Sequence, residues 1–258
     1  MNSAASNPSD LSHMRRIAGE GVLLAGGARA ILLQVAHSAV GRGVAEHSDF
    51  AARPLDRLGA TMSFVYGVVF GTAAQTHTVS VAVNQAHRRV VGPGYAASDP
   101  GLQLWVAATL YDTAVDLYQR IFGPLSEQLA EQVYREYAVL GTALQMPASL
   151  WPADRAAFAA YWADALGTLR VTDQARSVAH DLLSPNPIAL RALAPPTRLL
   201  TTGLLPPGLR SDYGLAWSPV RQRAFDLLMR GLALTYPRLP LTVREVPKSY
   251  YLHRLGRP

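Results

Sequence analysis

From Ser98 to Pro124 the chain writes out one helix with its punctuation attached, and that pattern, repeated along the sequence, constrains the fold more than any other feature. Ser98-Asp99-Pro100 supplies a capping side chain and then a proline, whose fixed φ and missing N–H suit the first turn of a helix. Leu102–Phe122 continues at helical spacing, and Gly123-Pro124 stops it. The same grammar recurs downstream. Ser126 precedes Glu127–Leu144, which stops at Met146-Pro147, and Trp151–Leu169 is entered through Pro152. Thr172 precedes Asp173–Leu183, and a last long helix runs Pro219–Tyr236 into a Pro-rich tail. Upstream, Leu23–Val40 and Leu55–Thr72 carry long apolar stripes, and Thr76–Val91 alternates faces with helical period.

Strands have little to build on. Val79–Val83 and Leu241–Val246 alternate briefly, but the first lies inside a helical pattern and the second beside prolines. Residues 184–219 hold seven prolines, so only short helices fit there. With 49% hydrophobic and 16% charged residues over 258 positions, the chain can bury a sizeable core and is not intrinsically disordered. The expectation is an all-α fold: a single globular multi-helix domain over residues 14–258, of about eight to ten helices, with residues 1–13 a flexible N-terminal segment.

Composition narrows the chemistry. No cysteine is present, which excludes disulfides, thiolate metal sites and a cysteine nucleophile. The net charge of +6 comes from arginines spread along the chain and the single Lys248, with no basic run, so nucleic acid is not an expected partner. Residues 1–13 lack a charged start and an apolar block of signal-peptide type. The apolar window Gly21–Gly43 contains Arg29, Gln34, His37 and Arg42, which fits a buried helix better than a membrane span. A soluble, cytoplasmic protein is the default reading.

Seven histidines remain as the candidate metal ligands and proton shuttles. None stands in HExxH, ExxH or His-x-His spacing, and GxSxG, the P-loop and the dinucleotide fingerprint are all absent. That leaves chemistry needing one histidine. Arg57 and Thr61, four apart, share a helix face, and Met62, Phe64, Val65 and Val68 extend it as an apolar wall. A short turn around Gly71–Thr76 would bring His87 on the next helix to the same end as Arg57. Spacing alone leaves other readings open. Arg57 can pair with Asp56 or Asp49, Thr61 can bond back to its own helix, and His37, in an apolar run, reads first as a satisfied core histidine. Trp105, Tyr111 and Tyr118 read as core, His47-Ser48-Asp49 as a helix cap, and His13, His77, His180 and His253 as surface.

Longer stretches carry more information: His47-Ser48-Asp49-Phe50, Arg53-Pro54-Leu55-Asp56-Arg57-Leu58, Thr61, Val69-Phe70-Gly71-Thr72 and His87-Arg88-Arg89-Val90-Val91-Gly92. Further along come Tyr95-Ala96-Ala97-Ser98-Asp99-Pro100, Leu104-Trp105-Val106-Ala107-Ala108-Thr109-Leu110, Asp112 and Phe122-Gly123-Pro124-Leu125-Ser126. Together they resemble the family of the latex clearing protein (rubber oxygenase) and the fungal MpaB-type oxygenases, above all its uncharacterised bacterial branch. The resemblance implies an all-α fold with a haem-sized pocket for b-type haem, His87 as the axial iron ligand, and Arg57 and Thr61 as the family's arginine–threonine pair. It further implies dioxygen chemistry on an apolar, alkene-containing or isoprenoid small molecule. Two positions depart from the pattern. Ala60 stands where rubber oxygenase has a distal lysine, leaving His37 and Glu46 as polar candidates for that side, and Ala107 stands where many relatives carry histidine. Three other classes stay open: a haem-binding module without turnover, a haem-free lipid-binding helical protein, and an interaction protein using the Pro-rich 184–219 segment.

Overall fold

The computed structural model describes residues 11–47, 54–184 and 194–256, without the side chains of residues 54–57. Helices carry nearly all of it. The first five are α1 (Ser12–Ala18), α2 (Gly27–Ala36), α3 (Ser38–His47), α4 (Pro54–Phe70) and α5 (Ala73–His87). After a small hairpin come α6 (Pro100–Phe122), α7 (Glu127–Tyr137), α8 (Val139–Thr142), α9 (Arg155–Thr168) and α10 (Asp173–Leu183). The chain finishes with α11 (Ala194–Leu204), α12 (Pro207–Asp212), α13 (Pro219–Thr235), α14 (Leu241–Arg244) and α15 (Val246–Leu255). Among the described residues the only strands are β1 (Val91–Gly92) and β2 (Tyr95–Ala96), antiparallel, with Val91 opposite Ala96 and Gly92 opposite Tyr95. The domain is all-α, as its punctuation predicts.

The caps work as written. The Asp99 carboxylate accepts from the N–H groups of Gly101 and Leu102 at 2.8 and 3.0 Å, satisfying donors that the first turn of α6 leaves open. Ser126 and Thr172 do the same for α7 and α10. Several expectations change: the described helices exceed the eight to ten expected, and the run Glu127–Leu144 divides at Ala138 into α7 and α8. The run Leu23–Val40 is not one helix: a 3-10 turn at Gly21–Gly26 leads into α2, and the chain turns extended at His37 before α3. Its open Ala36 carbonyl accepts the Arg170 N–H at 3.1 Å, a tertiary partner that no local pattern announces. Helix α9 starts at Arg155 behind the cap Asp154, four residues later than Trp151, because the Trp151 ring packs flat on Tyr134. Helix α5 ends at His87, and residues Val91 onward form the hairpin. The Pro-rich tail is itself helical as α14 and α15, and Leu241–Val246 is no strand, in keeping with its neighbouring prolines; Pro247 sits in the first turn, where proline is tolerated.

Helix α6 is the spine. Its Leu104, Ala107, Ala108, Tyr111 and Tyr118 enter one apolar cluster, Trp105 a second, and Leu117 with Ile121 a third. A helix apolar on every side must be surrounded, and this one is. The charge inside the Gly21–Gly43 window is satisfied rather than exposed. Buried Arg29 on α2 donates to Asp112 Oδ2 at 2.5 Å, Thr113 Oγ1 at 2.6 Å and the Leu204 carbonyl at 2.9 Å, tying α2 to α6 and α11. No single helix among the described residues is long and apolar enough to cross a membrane, and α1 is bent 69° from the segment Gly21–Ala36 behind it.

Close approach of α11 and α13 gives a direct test. A Cβ on Gly203 would lie 2.3 Å from Cδ2 of buried Phe225, so a methyl group there forces the ring aside. Gly203→Ala is expected to destabilise the fold by about 1–3 kcal/mol in urea titration. Gly231→Ala, in the middle of α13 with nothing within 4 Å of the new Cβ, is expected to stabilise by up to about 1 kcal/mol.

Candidate functional site

Thr72 starts the element that matters most. Its hydroxyl accepts the Gln75 N–H at 3.3 Å while the Gln75 side chain accepts the Thr72 N–H at 2.9 Å, a reciprocal cap that launches α5 two residues after α4 ends. The Thr76 hydroxyl then donates to the Gly67 carbonyl at 2.9 Å, so α5 folds back along α4. Only glycine fits at 67, where a Cβ would sit 2.9 Å from Val79 Cγ2. The start of α4 and the end of α5 thus come to the same end of a helical hairpin.

On α5 the inward stripe reads Thr76, Val79, Ser80, Val83, Asn84 and His87, each a helical step of three or four from another. His87 closes it as the last residue of the helix, half-buried, with exposed Arg88 and Arg89 beyond. On α4 the stripe Val68, Phe64, Thr61 starts in the core and ends in solvent: Val68 and Phe64 are 5% and 6% exposed, and Thr61 is fully in the exposed class. Ala60, next to it, is exposed too. Arg57 lies one turn further along α4, and its side chain is outside the described residues. The structure therefore brings the ends of α4 and α5 that carry Thr61 and His87 to one end of the hairpin.

The hairpin after His87 brings in partners that the spacing of residues did not reveal. Tyr95, 7% exposed, packs against Gly43 of α3, and its hydroxyl donates to the Glu46 carboxylate, which pushes the phenol's pKa up. His47 Nε2 lies 3.1 Å from the same hydroxyl, and the Arg42 guanidinium stands 5.4 Å over the ring while donating to the Pro93 carbonyl at 3.1 Å. Glu46 is therefore engaged with Tyr95 rather than left open as a distal group. The only local hint was the turn dipeptide Pro93-Gly94. On α5 itself, the Ser80 hydroxyl is buried with no partner among the described residues, two turns before His87.

His37 sits at the joint between α2 and α3, half-buried, with a buried Nδ1 that finds no partner among the described residues. Its apolar neighbours suggest a satisfied core histidine, and among the described residues Nδ1 is the atom left over. Burial lowers its pKa, against a weaker upward pull from Asp99, and so the ring is neutral near pH 7. The folded state then disfavours the proton, so the stability is full above the ordinary value near 6.5 and falls as the pH drops below it. Urea midpoints measured at about pH 7.5 and pH 5.5 are expected to separate less in His37→Gln than in the parent chain.

The other residues sort simply. Trp105, Tyr111 and Tyr118 are core, at 2%, 6% and 6% exposure. His77, His180 and His253 are exposed, but His13 is half-buried and holds Glu136 at 2.7 Å, joining α1 to α7. Among the described residues no three histidine, aspartate or glutamate side chains gather where they could hold a metal ion. A cleft of about 190 Å³ is lined by Arg198, Leu199, Thr202, Leu215, Trp217 and Arg221, and includes none of Arg57, Thr61, His37 or His87.

Residues 14–234 match the family model described as ER-bound oxygenase mpaB/B'/Rubber oxygenase, catalytic domain. An uncharacterized protein of Mycobacterium bovis is 37% identical over 224 residues, covering 81% of this chain and 87% of the relative. An uncharacterized protein of Mycobacterium tuberculosis is similar to the same extent. No solved structure matches the chain.

Proposed function

The chain belongs to the mpaB/B'/rubber oxygenase catalytic-domain family, and from that membership we propose that it is a haem-dependent oxygenase of an apolar small molecule, with His87 as the iron ligand. One observation carries the reading: the inward stripe of α5 ends in His87 at the end of the hairpin where the α4 stripe passes from buried Phe64 to exposed Thr61. A half-buried imidazole at the same end of the hairpin as an apolar stripe that reaches the surface suits a flat apolar ligand.

The donor set fits a haem. Haem iron asks the protein for one good ligand, whereas a bare metal site asks for three or four. The chain has no thiolate, and its described residues offer single imidazoles rather than a multi-ligand cluster. His87 would hold the iron, and His37, with its open Nδ1 and lowered pKa, is a neutral group able to donate or accept one hydrogen bond. Haem b, when bound, would supply dioxygen activation.

The chain's own residues have separable tasks. Arg57 carries a permanent cation, suited to a haem propionate or to negative charge developing on oxygen during reaction. Thr61, one turn on, offers a hydroxyl on the same face, and Phe64, Val65 and Val68 exclude water along the wall. With Ala60 in place of the lysine of rubber oxygenase, no ammonium group crowds that side, and the substrate proposed is a smaller alkene or isoprenoid rather than rubber. In the net reaction both atoms of one dioxygen end in two carbonyl groups as one carbon–carbon double bond breaks.

The test begins with colour. Protein purified from cells supplied with iron and a haem precursor is expected to show a Soret band and to consume dioxygen when an isoprenoid alkene is added. Colourless protein overturns the haem reading. A Soret band without alkene-dependent uptake across a panel of isoprenoids overturns the oxygenase reading in favour of a haem-binding module.

A further inference from the structure

The charge of this chain is not spread evenly. Residues 219–258 hold seven arginines and Lys248 against only Asp226 and Glu245, so this last stretch carries the whole +6 of the protein and the first 218 residues balance to zero. The apolar surface is concentrated in the same place. Eight of the eleven large apolar side chains exposed among the described residues lie between Val220 and Tyr250.

Helix α13 shows how the two features interleave. Phe225 and Met229 face inward onto α6 and α11, while Val220, Leu227 and Leu234, spaced by seven, point outward at 72%, 66% and 61% exposure. Exposed Arg223 and Arg230 alternate with them along the helix. Leu241 and Val246, on α14 and α15, are exposed as well. Among the described residues neither carboxylate is ion-paired with an arginine of α13: Asp226 accepts from Gln222 at 2.8 Å, and Glu245 is held by Lys248 at 2.5 Å. Among the described residues, Arg223, Arg230 and Arg238 have no carboxylate within 4 Å.

We propose that the outer face of α13 to α15 docks onto an anionic lipid surface. Leucine and valine side chains exposed by more than half fit the acyl boundary of a bilayer, and arginines between them fit lipid phosphates. The charge pattern selects this occupant over others. A second copy would bring the same unneutralised arginines against themselves. Nucleic acid would use the arginines but gains nothing from a leucine stripe. The inference is independent of the haem reading, because vesicle binding is read without haem and without turnover.

Vesicle flotation of the full chain tests it. Partition onto phosphatidylcholine vesicles containing about one-third phosphatidylglycerol is expected to exceed partition onto pure phosphatidylcholine by about tenfold or more, and to fall as salt rises. Leu227→Asp/Leu234→Asp and Arg223→Gln/Arg230→Gln are each expected to lower it by about tenfold, with unchanged far-UV circular dichroism, since all four positions are exposed. Absent or charge-independent vesicle binding overturns the proposal, as does full binding by the leucine pair variant. A dimer in light scattering that the leucine variant dissolves would overturn it in favour of a second copy. Duplex oligonucleotide binding that survives the leucine change, without vesicle binding, would overturn it in favour of nucleic acid.

Discussion

Arg29→Leu is expected to cost the fold about 3–5 kcal/mol, a large part of the total stability of an ordinary domain. The loss does not come from the missing attraction alone. Asp112 stays behind, its carboxyl already pushed upward by burial while the Arg29 guanidinium beside it works the other way. Without Arg29 the carboxylate is a buried charge with no cation, and its pKa climbs further. The Thr113 hydroxyl and the Leu204 carbonyl lose their donor at the same time. The sign with pH follows. A carboxyl whose folded pKa is raised is a burden when ionised, so the variant is least stable at high pH and recovers part of its loss as acid protonates Asp112. Arg29→Leu/Asp112→Leu is expected to regain much of the deficit, because two apolar groups of similar size leave no charge stranded. Urea titration of the two variants and the parent at two pH values measures all of this. Equal stability of Arg29→Leu and the parent would show that the pair holds nothing together.

His87→Gly is expected to abolish the Soret band of haem-supplied protein, and added imidazole is expected to restore it. Removing the side chain takes away the proposed iron ligand and leaves a space that free imidazole can fill. A histidine of purely structural value would give a different pattern, with lost stability and no rescue. His37→Gly serves as the comparison. It is expected to keep the band, since the proposal gives His37 a hydrogen-bonding role. A band that persists in His87→Gly and disappears in His37→Gly would move the ligand to the joint between α2 and α3.

Much of the scaffold could be read directly because its signals are local. Asp99, Ser126 and Thr172 each satisfy N–H groups within three residues of themselves, and so their helices begin where the side chains stand. The misread places depend on partners far away in sequence. Nothing near Ala36 says that its carbonyl is taken by the N–H of Arg170, so an apolar run with helical period looked unbroken. Trp151 looked like the start of a helix because Pro152 follows it, yet it is a loop residue stacked on Tyr134, and the cap is Asp154. The site divides the same way. A two-residue turn makes the shared end of α4 and α5 legible, whereas the meeting of Glu46, His47 and Tyr95 spans about fifty residues and follows no period. The charge distribution was hidden for another reason. The arginines stand apart with no basic run, and only a count of both signs over residues 219–258 shows the excess.

Helix α15 lies along α4, with Tyr251 stacked on Tyr66 at 5.7 Å and Leu255 against Gly67. This wall of the hairpin is built from the far end of the chain. During synthesis, α4 and α5 are complete 176 and 159 residues before the segment that covers α4 begins. Until then Tyr66, which ends 2% exposed, has no aromatic neighbour from that segment. A chain that stops before Val246 is therefore expected to leave Tyr66 uncovered on that side, and comparing its urea midpoint with that of the full chain measures what α15 adds.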